Sequence, residues 1–256
     1  MNAFIVPHET LLMLCNSCLT DIAYNTSLMG LLDKIRDGVR YFMRGIARFL
    51  NKLTGGKLSP NTVTIVGLLA HVPIAWLIAT GRNNILAAVL LIIFGLFDAL
   101  DGEIARLQKR SSAAGMLLDA STDRIKEVFL YMGVGVALVF PPRIFDVFIG
   151  YSLRGPDVGE QYILALVIAA CGGSLLVSYI KAKGETAVKD KNLSPNEINR
   201  LFQDGLARFE IRMVLLIIGL FFDQLLLAVL VIAVLSWWTA ISRLIKISKK
   251  LSDVQD

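Results

Sequence analysis

Charged residues and cysteines are both scarce in this sequence. Asp, Glu, Lys and Arg make up 18% of its 256 residues, whereas soluble domains contain about 25%. Three cysteines are too few to staple a chain of this length with disulfides. A hydrophobic content of 55% excludes a disordered or collagen-like chain. Together these features argue against an ordinary soluble domain.

The uncharged residues are gathered into long runs. No Asp, Glu, Lys or Arg occurs in 58–81, 83–97, 128–142, 161–180 or 224–242. A helix needs about 20 mainly apolar residues to cross a bilayer. We therefore predict an all-α integral membrane protein with six transmembrane helices, at 61–81, 84–105, 116–140, 160–182, 208–222 and 224–245. The fifth span is the shortest, and Asp223 leaves little room for a turn before the sixth.

Basic residues fall mostly on one side of these spans. Seven Lys and Arg residues precede the first span, and further ones follow the second, the fourth and the sixth. The opposite side carries only Arg82, Arg143 and Arg154. Cytoplasmic loops of membrane proteins are enriched in Lys and Arg. We therefore predict a protein of the cell membrane with both termini in the cytoplasm.

The region before the first span has two parts. Residues 1–27 form an extension of unassigned role without a cleavable signal peptide. Residues 28–56 carry apolar side chains at helical spacing, with Arg36, Arg40, Arg44 and Arg48 on another face. We predict an amphipathic helix that lies among anionic lipid headgroups; the alternative is packing against a partner subunit. Residues 57–248 form the six-span domain, and 249–256 form a cytoplasmic tail.

Four acidic residues mark the ends of the second and third spans. Asp98 and Asp101 are three residues apart, and Asp119 and Asp123 are four apart, so each pair shares one face of a helix. The connection at 107–114 is short, which makes the two helices antiparallel neighbours. The spacing therefore predicts a site in which four carboxylates face one another, on the cytoplasmic side.

Four carboxylates at the edge of a bilayer core repel one another unless cations neutralise them. Oxygen ligands without His or Cys suit Mg²⁺ or Mn²⁺ rather than zinc. We predict that two such cations bind here, an arrangement that serves phosphoryl transfer. Gly102 and Gly115 would let a ligand approach the backbone closely, and Arg106 would pair with a phosphate or with the carboxylates.

The full pattern in this region is D-x2-D-G-x2-A-R-x8-G-x3-D-x3-D, from Asp98 to Asp123. This pattern resembles the signature of the CDP-alcohol phosphotransferase family at every defined position. The resemblance extends from Ser59 through the six spans to Ile241, and so covers most of the chain after about residue 55.

The resemblance implies a homodimeric, six-helix enzyme of phospholipid synthesis that uses a CDP-linked lipid donor such as CDP-diacylglycerol. An acceptor hydroxyl would attack the phosphorus distal to the cytidine, and CMP would leave. By family position, the metal ligands are Asp98, Asp101 and Asp119. Asp123 is the general base, with a ligand role left open. The positions near the CDP group are Asp101, Gly102, Arg106 and Gly115.

Basic residues near the fourth and fifth spans suggest the acceptor. Lys181, Lys183, Arg208 and Arg212 are predicted on the side of the aspartates, where they would bind an acceptor phosphate. The layout is similar to the branch that makes phosphatidylinositol phosphate and archaetidylinositol phosphate, so inositol 1-phosphate is the expected acceptor. One departure is Arg208-Phe209, which replaces a Glu-Arg pair often found in that family.

Three other interpretations stay open at the level of sequence. The acceptor would be glycerol 3-phosphate in a phosphatidylglycerophosphate synthase. The four basic residues would be interfacial anchors if they only mark topology. A cation carrier would also place carboxylates within the membrane, although transport gives no reason for the spacing of Gly102, Arg106 and Gly115. No nucleic-acid partner is predicted.

Overall fold

The computed structural model describes residues 26–139, 158–189 and 207–253. These residues form helices and the short connections between them, and they contain no strand. The helices are α1 (Thr26–Leu53), α2 (Pro60–Thr80), α3 (Asn84–Gly95), α4 (Phe97–Leu107), α5 (Ala113–Val139), α6 (Val158–Lys189), α7 (Phe209–Phe221) and α8 (Leu225–Asp253). Most of the predicted extension at 1–27, including Cys15 and Cys18, lies outside the described residues.

Four segments are long and apolar enough to cross a membrane: Pro60–Thr80, Asn84–Leu107, Gly159–Thr186 and Leu225–Lys249. They coincide with the first, second, fourth and sixth predicted spans. The protein is therefore an all-helical membrane protein in its described part. The second segment is interrupted at Leu96, which ends α3 and begins α4.

The third and fifth predicted spans are not among these four segments. Helix α5 has 27 residues, but its first half carries Asp, Arg, Lys and Glu side chains. Helix α7 has 13 residues, which gives a rise of about 20 Å against a hydrocarbon core of about 30 Å. The charged residues of α5 and the short length of α7 explain why neither helix is long and apolar enough to count as a membrane-crossing segment.

The turn between α7 and α8 needs only Phe222, Asp223 and Gln224. Asp223 adopts a left-handed backbone conformation with φ of 55°. The Gln224 N–H donates to the Gly219 carbonyl over 2.7 Å, and a Cβ at Gly219 would lie 2.6 Å from the Cβ of Ala228. The short connection between the two helices is therefore possible because the chain reverses tightly at Asp223 and because residue 219 is glycine.

One apolar core joins α2, α3, α5, α6, α7 and α8. Its fully buried members include Ile74, Leu91, Leu130, Leu216 and Val229. Helices α2 and α5 approach closely, because a Cβ at Gly133 would lie 2.4 Å from the Ala75 carbonyl oxygen. Only glycine permits this distance, so Gly133 fixes the spacing of the two helices whose ends carry polar residues.

Helix α1 packs against α4 rather than against this core. Met43 and Ala47 are buried with Leu100 and Ile104. A second row of α1 is open, and it contains Tyr41, Phe42, Phe49 and Leu53, which are 62–80% exposed. The helix therefore has one apolar row that contacts the protein and another that does not.

Candidate active site

Three aspartates converge where α4 meets α5. Asp98 stands in the first turn of α4, directly after the interruption at Leu96, and Asp119 and Asp123 lie one helical turn apart on α5. One carboxylate oxygen from each lies within 4.8 Å of the others. The structure thus brings together three of the four aspartates that the sequence places in one site.

Asp101 is not part of the group within 4.8 Å. Its side chain is buried, and one carboxylate oxygen accepts a hydrogen bond from the hydroxyl of Thr64 on α2. The three-residue spacing puts Asp98 and Asp101 on related faces of α4, and Asp101 in addition contacts α2 through this hydrogen bond. Thr64 was not predicted as a site residue, because nothing in the local sequence pairs α2 with α4.

Lys126 is a further member of the site that the sequence analysis missed. Its ammonium donates to Asp98 Oδ1 and lies 3.4 Å from Asp123 Oδ1, and its side chain is 1% exposed. Residues 119, 123 and 126 follow the i, i+4, i+7 spacing of one helix face. That spacing is visible in the sequence and is the signal that would have found Lys126.

The donor atoms fit a hard divalent cation. Asp119 Oδ1 is buried and has no hydrogen-bond partner among the described residues, which is costly for a polar atom unless something else binds it. Carboxylate oxygens at this separation match the ligands that Mg²⁺ and Mn²⁺ take. Asp98, Asp119 and Asp123 are therefore suited to hold such an ion.

The residues predicted near the CDP group lie on α4 and at the start of α5. Arg106 forms an ion pair with Glu103, so it pairs with neither the three clustered aspartates nor Asp101. Glu103 is buried and also accepts from Arg44 Nε of α1 over 3.2 Å. Glycine at 102 leaves open backbone beside Arg106, since the nearest atom to a Cβ there would be Arg106 Nη2 at 3.8 Å.

Gly115 lies near the start of α5 and is tied down locally. Its N–H donates to Ser112 Oγ over 3.0 Å, and a Cβ at this position would meet Ser112 Oγ at 3.2 Å and Asn61 Oδ1 at 3.7 Å. The site therefore has close backbone at Gly115 on one side and open backbone at Gly102 on the other.

A buried ionic network lies directly behind the aspartates. Arg212 of α7 donates to both carboxylate oxygens of Glu127, over 2.8 and 3.1 Å, and its Nη1 donates to the Ala207 carbonyl. Arg124 donates to Glu127 over 2.8 Å and to Ser178 of α6. The network connects α5, α6 and α7, and the sequence analysis predicted neither Glu127 nor Arg124.

The four residues predicted to bind an acceptor phosphate do not form one cluster. Arg212 is 1% exposed and its Nε, Nη1 and Nη2 atoms all donate within the protein. Lys181 continues the α6 face on which Ser174 and Ser178 meet α5. Lys183 lies about 200° around the helix from Lys181, on the exposed side. Arg208 is half-buried at the start of α7.

Arg212 belongs to the network itself, and Lys181 and Arg208 each lie close in the chain to one of its residues. Lys181 lies one turn beyond Ser178, and its ammonium is 3.8 Å from Glu185 Oε1. Arg208 directly precedes Phe209, whose ring lies under the guanidinium of Arg124 at 4.9 Å. The departure noted at Arg208-Phe209 therefore supplies a cation–π contact to the network.

The sequence matches a family model and a protein of known function. The sequence model of the family described as CDP-alcohol phosphatidyltransferase matches residues 57–242. The archaetidylinositol phosphate synthase of Pyrococcus horikoshii is 27% identical over 221 residues, which cover 86% of this chain and 98% of that protein.

Two solved structures share the fold. The crystal structure of Mycobacterium tuberculosis phosphatidylinositol phosphate synthase with CDP-DAG bound aligns with a TM-score of 0.62 and 25% identity, over 80% of this chain and 92% of that one. The same enzyme in complex with manganese and citrate aligns with the same TM-score and identity, over 80% and 88%.

Proposed function

This chain belongs to the CDP-alcohol phosphatidyltransferase family, and we propose that it transfers a phosphatidyl-type group from a CDP-linked lipid to inositol 1-phosphate. The observation that carries the proposal is the convergence of Asp98, Asp119 and Asp123 within 4.8 Å. The acceptor is supported by the relatives, one named for archaetidylinositol phosphate and one for phosphatidylinositol phosphate.

We propose that two divalent cations, Mg²⁺ or Mn²⁺, are held by Asp98, Asp101, Asp119 and Asp123. Two observations support a metal here: Asp119 Oδ1 has no hydrogen-bond partner within the described part of the chain, and the related structure contains manganese. When bound, such cations neutralise a diphosphate and stabilise charge on the leaving oxygen. Asp101 would complete the ligand set by exchanging its bond to Thr64 for a cation.

Asp123 would accept the proton of the acceptor hydroxyl. The hydroxyl oxygen then forms a bond to the phosphorus distal to the cytidine, the bond to the CMP oxygen breaks, and CMP leaves. A base must lie within hydrogen-bonding reach of the proton that it takes. Arg124 Nη2, at 3.9 Å from Asp123 Oδ2, and Lys126 restrain the carboxylate from either side.

The donor would lie along α4 and the start of α5. The open backbone at Gly102 admits the diphosphate, Arg106 binds one of its oxygens in a charge-assisted bond, and Gly115 borders the nucleotide. Glu103 keeps Arg106 beside Gly102. The interfacial position of these residues would let the lipid tails stay in the bilayer while the CDP group reaches the aspartates.

The acceptor phosphate would lie at the ends of α6 and α7. Lys181 and Arg208 are the ligands that we favour. Lys181 lies one turn beyond Ser178, which accepts a hydrogen bond from Arg124, and Arg208 precedes Phe209, whose ring lies under Arg124. Arg212 would act indirectly. It forms an ion pair with Glu127, and Glu127 also accepts a hydrogen bond from Arg124. Lys183 is on the outward side of α6 and remains an interfacial anchor.

The membrane arrangement follows from the same proposal. Helices α5 and α7 would complete six spans, with α3 and α4 forming one of them, and both termini and the aspartates would face the cytoplasm. The open apolar row of α1 and its basic residues would lie on the bilayer surface. The domain would run from 57 to 248 and act as a homodimer.

An acceptor panel tests the proposed activity. Purified protein in lipid nanodiscs receives CDP-diacylglycerol and Mg²⁺ with inositol 1-phosphate, inositol, glycerol 3-phosphate or serine, and CMP release is measured. We expect CMP with inositol 1-phosphate. Preference for glycerol 3-phosphate would favour the second candidate, a phosphatidylglycerophosphate synthase. Absence of CMP with every acceptor would favour a cation carrier over an enzyme.

A further inference from the structure

Lys126 is buried among carboxylates, and its position bears on more than the restraint of Asp123. Its ammonium donates to Asp98, lies 3.4 Å from Asp123 and is 1% exposed. On its other side is α2, where a Cβ at Gly67 would lie 4.0 Å from Nζ. The ammonium is therefore enclosed between the backbone of α2 and two of the three clustered aspartates.

Lys126 reduces an excess of negative charge in this group. When all three are ionised, Asp98, Asp119 and Asp123 place three negative charges within 4.8 Å of one another. The side chains of Asp98 and Asp123 are only 22% and 18% exposed, and like charges that water screens incompletely repel one another. Lys126 offsets one of the three charges, and the guanidinium of Arg124 at 3.9 Å from Asp123 offsets part of another.

We propose that Lys126 is the internal counter-cation of the metal site. Its ammonium stabilises Asp98 and Asp123 when no metal is bound, and by the same repulsion of positive charge it weakens the affinity of the site for divalent cations. The inference rests on the proposed metal site. It assigns Lys126 a positioning and tuning role rather than contact with the substrate.

The loss of a counter-cation should change metal affinity in the opposite direction from the loss of a structural residue. A residue that merely supports the fold of the site weakens metal binding when it is removed. A counter-cation does the reverse: its removal destabilises the metal-free protein and tightens metal binding. An ammonium so close to the ligands should oppose a divalent ion by enough to change the Kd by about tenfold or more.

The experiment compares Lys126→Met, Lys126→Gln and Lys126→Arg with the wild-type protein in nanodiscs. Mn²⁺ binding is measured by electron paramagnetic resonance of the free ion, and thermal unfolding is measured in chelator and in excess Mn²⁺. We expect Met and Gln to lower the Tm in chelator, to enlarge the rise in Tm on adding Mn²⁺, and to tighten the Kd about tenfold. The Arg variant keeps the charge and should bind Mn²⁺ less tightly than the Met variant.

Lys52→Met is the matched control, because it removes the same charge from an exposed position on α1 and should leave the Kd unchanged. Met and Gln variants that bind Mn²⁺ with wild-type or lower affinity would overturn the inference. So would a Met variant that folds neither in chelator nor in Mn²⁺, because a metal should be able to replace a counter-cation. A wild-type protein that binds no Mn²⁺ would instead refute the proposed metal site.

Discussion

Arg212 lies against Glu127 in a two-point ion pair, with Nε 2.8 Å from Oε1 and Nη2 3.1 Å from Oε2. Both side chains are buried. Glu127 also accepts from Arg124, which lies 3.9 Å from Asp123. A buried pair between α5 and α7 thus positions an arginine beside the carboxylate that we propose as the base.

Breaking this pair should destabilise the protein strongly. Arg212→Ala leaves the Glu127 carboxylate buried without its main partner, which costs about 3–5 kcal/mol. Equilibrium unfolding of the variant in detergent measures the loss. The double variant Arg212→Met, Glu127→Leu removes both charges and should recover part of it. A single variant as stable as wild type would contradict the importance of the pair.

The aspartates of the cluster should matter for metal binding more than for folding. Asp98→Asn or Asp119→Asn removes a ligand charge and should lower turnover by about 100-fold, equivalent to about 3 kcal/mol. Mn²⁺ affinity should fall in parallel, and the far-ultraviolet circular dichroism should not change. Asp223→Asn, in the α7–α8 turn, makes the same chemical change away from the site and serves as the control. Undiminished activity in excess chelator would refute metal dependence.

Asp123 should contribute to the chemical step. Asp123→Asn keeps the size of the side chain but cannot accept the hydroxyl proton, so single-turnover rates should fall more than the affinity for CDP-diacylglycerol. Rapid-quench measurement of CMP separates the two effects. If the variant lost only donor affinity, Asp123 would be a metal ligand alone.

The acceptor phosphate should depend on one lysine of α6 and not on its neighbour. Lys181→Ala removes a proposed charge-assisted bond and should raise the KM for inositol 1-phosphate about 30-fold, equivalent to about 2 kcal/mol. The KM for the lipid donor should change little. Lys183→Ala, on the opposite face of α6, is the control. Equal effects from the two variants would point to general surface charge rather than to a pocket.

The proposed orientation can be tested by chemical labelling in intact cells. Cys15, Cys18 and Cys171 are first replaced by Ser, and single cysteines are then placed at 110, 155 and 191. Cysteine at 155 should react with a membrane-impermeant maleimide, and those at 110 and 191 should react only after permeabilisation. The reverse pattern would place the aspartates on the outer side of the membrane.

The sequence predicted the helices and the aspartates better than their partners. Absence of charge located four long apolar helices, because a bilayer penalises every charge along a span. The spacing of Asp98, Asp119 and Asp123 was enough to bring them together, because it depends on two neighbouring helices alone. The hydrogen bond of Asp101 to Thr64 was not predicted, since it depends on where α2 packs.

The acceptor site shows the limit of reading charge from sequence. Arg212 and Lys181 are both basic residues in the sequence. In the structure, Arg212 is buried in an ion pair with Glu127, whereas the side chain of Lys181 is half exposed. Glu127 and Arg124 lie on neighbouring turns of α5, and their roles follow from α6 and α7, which are distant in the chain. Pairing across helices is a property of packing, and no local spacing encodes it.

The close approach of α2 and α5 at Gly133 has a consequence for tolerance to mutation. Gly133 lies ten residues beyond Asp123, about 15 Å along α5, yet the helix that it admits is the one that carries Thr64 and Gly67 against Asp101 and Lys126. A methyl group at 133 would clash with the Ala75 carbonyl and force α2 away from α5. A substitution in the apolar core would then lower activity by displacing the contacts that α2 makes with Asp101 and Lys126.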